Sequence, residues 1–181
     1  PLEFCKKDTY CNIIAEEAER VASVAPIVFV KNNQDSFNMV MLLSLEQGKN
    51  KFLSKSLRWT GSYMPAAYRC YPFALLEEEV SKKKILGFDT TFPILTDNPS
   101  GASVRLFEED GSNSKYLANI IGFLNTVQTK GRETNQIIKQ IESLNILEEW
   151  KLQLTQKGEK QNIAGLWKIS KDKLNSLDKK Q

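Results

Sequence analysis

Apolar and polar positions alternate along the chain in segments whose period changes, and the changes mark the elements. In "NIIAEEAERVASVAP", Ile13, Ile14, Ala18, Val21 and Ala22 recur at helical spacing, with Glu16, Glu17, Glu19 and Arg20 on the other faces. The spacing predicts a helix capped by Asn12 and ended by Pro26, which pushes the preceding residue out of the α region. "PIVFVK" is a short continuous apolar run and reads as a buried strand; "NNQDS" is a turn cluster. "FNMVMLLSLEQGKN" is strand-like, and "QGKN" predicts a hairpin into "KFLS". Pro65 opens one helical turn over "PAAYR". "PFALLEEEV" and Ile85–Asp89 read as strands, "TDNPSGAS" as a loop, and "VRLFEEDGSNS" as a short strand and turn.

From Ser114 the period lengthens. Leu117, Ile120, Ile121, Leu124 and Val127 form one helical stripe, and Ile137, Ile138, Ile141, Leu144 and Leu147 a second, with Gly131 between them as a candidate bend. "WKLQLT" returns to period two, "QKGEKQN" reads as a turn, and "AGLWKIS" as the strand returning antiparallel. "KDKLNSLDKK" closes as a short amphipathic helix with Ser170 as its cap. The predicted fold is α+β: a single domain over 1–181, an antiparallel sheet packed by helices, and a long helical segment in the C-terminal half followed by a hairpin and a short helix.

Composition narrows the chemistry. The chain has 181 residues, enough for one sizeable core, and its 41% apolar and 26% charged content is that of a soluble globular protein. It contains no histidine, which removes histidine triads, histidine metal ligands and the ordinary near-neutral proton shuttle. The three cysteines, Cys5, Cys11 and Cys70, form no C-x-x-C pair, so neither a zinc site nor a disulfide framework is expected. So few cysteines suit a reducing compartment. Cys70 beside Arg69 lacks a histidine to activate it and reads as a structural thiol.

The net charge of +3 comes from scattered lysines, and "SKKKILG" beside "LEEEV" reads as a solvated turn, so no nucleic-acid partner is expected. "EEDGSNS" lacks the ligand spacing of a calcium loop and "TKGRET" lacks a phosphate-cradling pattern, so no metal and no cofactor are expected. The longest apolar run, "SFNMVMLLSLEQG", is far below the roughly 18 to 20 residues that span a bilayer, and no membrane insertion is expected. "PLEFCKKDTYCN" lacks the layout of a signal peptide, and the expected location is cytoplasmic. An opening Pro1 in place of Met leaves room for further N-terminal sequence and for surface association.

One stretch concentrates candidate chemistry: "RWTGSYMPAAYRCYPFALLEEE". Trp59, Tyr63, Tyr68 and Tyr71 are suited to lining an aromatic pocket, Arg69 offers a fork of donors to a carboxylate or phosphate, and Pro65 and Pro72 stiffen the walls. Asp89, at its strand end, is placed to orient Arg69 or accept a ligand donor. The competing reading is architectural: the rings cover the core while their polar tips reach backbone partners. The candidate ligand-binding residues are Trp59, Tyr63, Arg69, Tyr71 and Asp89, and no residue is assigned as catalytic.

Those residues also carry a resemblance. Trp59, Gly61, Tyr63, Pro65, Ala66, Arg69, Tyr71, Pro72 and Phe73 fall in the order of the signature of the bacterial SapC-like family. "PIVFVK", "ILGFD", "RLFEEDGSNSKYL" and "GLWKISKDKLNSL" resemble other parts of it, so the similarity runs from about Ala25 to Leu177. Cys70 departs from the paired arginines seen before Tyr-Pro-Phe in many members. The family's name comes from association with surface-layer genes. The resemblance implies a non-catalytic accessory or binding protein for surface-layer or envelope machinery, with an unidentified protein partner or small-molecule ligand and an oligomeric state left open. Two alternatives stand beside it: an enzyme, or its partner subunit, modifying a small molecule or peptide in an aromatic and arginine pocket, and a structural subunit of the surface layer.

Overall fold

The computed structural model describes residues 2–78, 83–91, 103–156 and 159–177. The fold is α+β. Its contacts divide the chain into two compact units, one built from residues 1–65 and 131–181, the other from residues 66–130.

The first unit is organised by an antiparallel five-stranded sheet. Its strands are β1 (Tyr10–Asn12), β2 (Ile27–Lys31), β3 (Phe37–Leu42), β6 (Leu147–Glu149) and β9 (Trp167–Ile169), in the spatial order β1-β3-β2-β9-β6. The turn "NNQDS" joins β2 to β3: the Asn32 side-chain oxygen accepts from the amides of Gln34 and Ser36, and Asp35 takes a left-handed φ of 59°. Register then places Val28 opposite Val40 and Phe29 opposite Met39. Because side chains alternate across a strand, each of these strands sends apolar groups to both faces. One face gathers Val28, Val30, Val40, Leu42 and Leu166 under Trp150, Leu152 and Ile163. The other gathers Phe29 and Leu147 against Ile138 and Ile141, with Phe37 meeting Trp167 edge to face at 5.2 Å.

Each face has its own cover. Helix α3 (Lys115–Ser143) contributes its last turns, from Gly131, to this unit. Here Ile138 is buried, Ile137 is exposed, and the buried Thr134 extends the stripe: its hydroxyl oxygen accepts the Ala15 amide at 2.8 Å. The helix runs unbroken through Gly131, where a side chain would meet nothing. The hairpin of β7 (Leu152–Gln156) and β8 (Glu159–Ile163) supplies Leu152 and Ile163 to the opposite face.

Several expectations change. "WKLQLT" pairs with β8, inside the predicted turn, whereas the strand in "AGLWKIS" pairs with β2 and β6. Leu152 and Ile163 find apolar cover as a separate hairpin, and Trp167 meets Phe29 in the main sheet. Asn12 ends β1 and caps nothing, because the next amide, Ile13, donates to Met39 of β3. A 3-10 turn at Ala15–Glu17 precedes helix α1 (Ala18–Ala22). "KFLS" forms no hairpin with β3: the buried Asn50 donates to the Cys5 carbonyl, and Leu53 makes an isolated bridge to Trp59. Helix α4 (Lys171–Asn175) follows Ser170 as expected, but the Ser170 side chain makes no cap bond.

The second unit holds helix α2 (Ala66–Arg69), the antiparallel hairpin of β4 (Phe73–Glu77) and β5 (Lys84–Phe88), and the first turns of α3. "VRLFEEDGSNS" closes through an isolated Phe107–Asn113 bridge around Gly111, which needs its φ of 81°. Most of the predicted loop "TDNPSGAS" lies outside the described residues.

Met41 is fully buried in β3, so Met41→Ala is expected to cost about 2–5 kcal/mol. Urea denaturation will read this as a lowered midpoint with an unchanged slope.

Candidate functional site

The aromatic stretch divides at the boundary between the units: Trp59 and Tyr63 belong to the first, Arg69, Tyr71 and Asp89 to the second. In the first unit the structure brings Trp59 and Tyr63 together. The Trp59 indole N–H donates to the Tyr63 carbonyl at 2.9 Å, and its ring stacks on Phe52 at 5.2 Å and 18°. The Tyr63 hydroxyl donates to Glu17 Oε1 at 2.7 Å; the second oxygen of this buried carboxylate accepts the Ile14 amide at 3.0 Å. The Arg20 guanidinium lies 5.8 Å from the Tyr63 ring centre. Gly61 is required by this packing. A Cβ there would stand 2.8 Å from the Phe52 ring and 3.0 Å from the Trp59 indole nitrogen.

These contacts favour the architectural reading for Trp59 and Tyr63: both polar tips are spent inside the fold. Gly61→Ala is therefore expected to break the Phe52–Trp59 stack. The result will be a lower thermal midpoint and a shift of tryptophan fluorescence toward that of exposed indole, as rings cannot yield by rotating away from backbone-tied neighbours.

In the second unit Tyr71 and Asp89 form a pair. The Tyr71 hydroxyl donates to Asp89 Oδ2 at 2.9 Å. Asp89 Oδ1 accepts the Thr91 amide at 2.9 Å and the Thr91 hydroxyl at 2.6 Å. The Asp89 amide donates to the Pro72 carbonyl at 2.9 Å, after a cis Tyr71–Pro72 bond, and so ties the carboxylate to the start of β4. The two Thr91 bonds, then the Tyr71 hydroxyl, hold Asp89 below the usual carboxylate range. Partial desolvation, then the Asp89 carboxylate, pushes the Tyr71 phenol above its ordinary value.

This pair edges a shallow concavity of about 320 Å³ whose lining includes Ala67, Pro72, Leu76 and Phe88. Leu76 and Ile85 stand opposite each other on the hairpin and are about half exposed, at 57% and 52%. Leu76 folds over Gly87, where a Cβ would meet it at 3.1 Å. Arg69 is exposed and sets its guanidinium 4.9 Å from the Phe123 ring centre, outside the concavity's lining.

Thr91, Leu76 and Phe88 escaped the sequence reading. Asp-Thr-Thr is a recognisable side-chain turn, in which an aspartate accepts the amide two residues on, and that signal was available for Thr91. No comparable signal marks Leu76 or Phe88, which read as ordinary strand residues. None of the three cysteines is in a disulfide; Cys5 and Cys11 are buried and Cys70 half-buried. Burial, then Asp8, pushes the Cys5 thiol up to about 11. Among the described residues no group of three cysteine, aspartate or glutamate side chains could hold a metal ion, and no helix is long and apolar enough to cross a membrane.

The depressed Asp89 value carries a sign. Its contribution to stability is fully present above the unfolded aspartate value and is lost as pH falls through the folded one. Carbon-detected NMR titration is expected to find Asp89 below the ordinary aspartate range. Tyr71→Phe should move that value upward by removing one donor, and Thr91→Val further, because the Thr91 hydroxyl is the larger cause. An Asp89 titration that ignores both substitutions contradicts the geometry.

Comparison with curated proteins and with solved structures finds no match. The SapC family model matches residues 1–181. The signature traced from Trp59 to Phe73 thus lies within a match over the whole chain, which belongs to the SapC family.

Proposed function

We propose that this protein is a non-catalytic binding protein that uses the concavity beside Tyr71 and Asp89 to hold a partner or ligand, in the service of surface-layer or envelope machinery. The observation that carries the reading is the state of that pair. Hydrogen bonds push Asp89 down, and partial desolvation, then the Asp89 carboxylate, pushes Tyr71 up, so both move away from neutrality. A general acid or base works best with a value near the operating pH. A carboxylate held ionised beside apolar side chains suits recognition instead: it offers one fixed negative charge next to Leu76, Phe88 and Pro72. The matching ligand feature is an apolar group bearing an ammonium or guanidinium.

The exposed Leu76–Ile85 pair supports a partner larger than the concavity, since it extends apolar surface along the hairpin. In this reading Trp59 and Tyr63 support the fold, and Arg69 serves the neighbouring surface. The surface-layer setting rests on the family alone.

Native mass spectrometry of protein purified gently from its own cells tests the proposal. The expected result is an added mass, from a small molecule or a partner chain, that is lost in Asp89→Asn while the variant stays folded by circular dichroism. A bare chain under these conditions, with no partner captured by cross-linking in the cells, would overturn it. So would catalytic turnover of the retained molecule.

A further inference from the structure

A second cavity lies wholly within the first unit, where the β7–β8 hairpin leaves the sheet. It measures about 280 Å³, at the small end for a ligand site. Its floor is apolar and buried: Val30, Leu42 and Leu166 belong to one core cluster. Its rim is polar and neutral. Tyr10 pairs with Leu42 in the β1–β3 register, so both side chains share one face of the sheet, yet Leu42 is buried and Tyr10 is 46% exposed. Gln47 and Asn162 join Tyr10 on the rim.

Three polar groups there have hydrogen-bonding capacity left. The Tyr10 hydroxyl and the Gln47 amide make no hydrogen bond among the described residues. Asn162 spends its oxygen on Gln153 at 3.1 Å, which leaves its amino group available and fixes the side chain's orientation. The one charged residue among the described residues of the lining, Lys31, directs its ammonium elsewhere. It donates to Asp35 at 2.6 Å and lies 5.6 Å and 5.7 Å from the ring centres of Phe37 and Trp167, which pack on the sheet's other face. Among the described residues the cavity therefore presents apolar surface, one exposed aromatic ring and neutral donors and acceptors, with no ionic group turned toward it.

A charged ligand would lose its hydration there with no counter-charge in return, and a purely apolar one would leave the rim groups unmatched. A sugar ring has the complementary surface: one face of C–H groups for the Tyr10 ring, and an edge of hydroxyls that donate and accept. We infer that this cavity binds a neutral saccharide unit. The site shares no residue with the Tyr71–Asp89 concavity and does not depend on it.

The test is a titration of the isotope-labelled full chain with N-acetylglucosamine and, separately, glucose, followed by amide chemical shifts. The expected result is a saturable response to at least one sugar in the millimolar range, confined to the backbone around Tyr10, Gln47 and Asn162. Tyr10→Ala should weaken it about tenfold through loss of ring stacking. Asn162→Ala, on an exposed hairpin residue, should weaken it as well without disturbing the rest of the spectrum. Asp89→Asn should leave it intact, so this inference and the proposed function fail separately. No saturable shift with either sugar, shifts mapping elsewhere, or binding indifferent to both rim substitutions would each overturn it. Indole titrated in parallel must give a weaker response than the sugar; a tighter one would show an apolar pocket and refute the saccharide assignment.

Discussion

Strands β2 and β3 form one ladder with apolar side chains on both of its faces, and most of the first unit is a consequence of that. A ladder that is polar on one side can leave that side to water. Here Val28 and Val40 are fully buried on one face and Met41 on the other, so each face needs its own cover. The last turns of α3 meet one, through Ile138 and Ile141; the β7–β8 hairpin meets the other, through Leu152 and Ile163. The two covers differ in reach. A helix stripe repeats its contact along an axis, whereas a two-stranded hairpin covers only the width of a few residues. Where the hairpin stops, Leu42 remains buried but its neighbour Tyr10 does not. The second cavity is thus a by-product of how the sheet is covered, which is also why its floor is core and its rim is surface.

Much of this was legible in the chain. The apolar run of β2, the turn at Asn32–Ser36 and the first stripe of α3 rest on short-range periodicity and stand where it puts them, whereas the second stripe overruns the helix: α3 ends at Ser143, Leu147 opens β6, and Ile137 faces outward. What was not legible depended on partners distant in sequence. Asn12 carries the side chain of a cap, but its neighbour Ile13 has a stronger claim on its amide from Met39 in the sheet. Alternation in "WKLQLT" gives a strand and cannot say which strand it meets; pairing was decided by which surface needed Trp167 and which needed Leu152. Thr134 interrupts a purely apolar stripe for a reason visible only once Ala15 is beside it.

The aromatic stretch shows the same limit at the level of the site. Read as residues, Trp59, Tyr63 and Tyr71 are equivalent: each is a ring with one polar tip. Their partners separate them. Trp59 and Tyr63 spend theirs on a backbone carbonyl and on the buried Glu17, and Gly61 is small because Phe52 and Trp59 fill the space. Tyr71 spends its own on Asp89, a carboxylate that borders a concavity. A signature of closely spaced aromatics therefore combines two settings, and only the fate of each hydroxyl or indole N–H tells one from the other.

The absence of histidine gives those hydroxyl contacts further meaning. Some carboxylates in this fold accept from neutral donors, Glu17 from Tyr63 and Asp89 from Tyr71 and Thr91, whereas others, such as Asp35 and Glu148, pair with lysines. A neutral donor orients a carboxylate and favours its ionised form without cancelling its charge. Asp89 therefore keeps a full negative charge throughout the neutral range, aimed by three hydrogen bonds. Cys5, a thiol that burial moves still further from neutrality, adds no titration there. Small pH changes near neutrality cannot alter what a ligand meets at the Tyr71–Asp89 edge. In the binding role we propose, selectivity at that edge falls to shape and to the match between one constant charge and the apolar surface of Leu76, Pro72 and Phe88 around it.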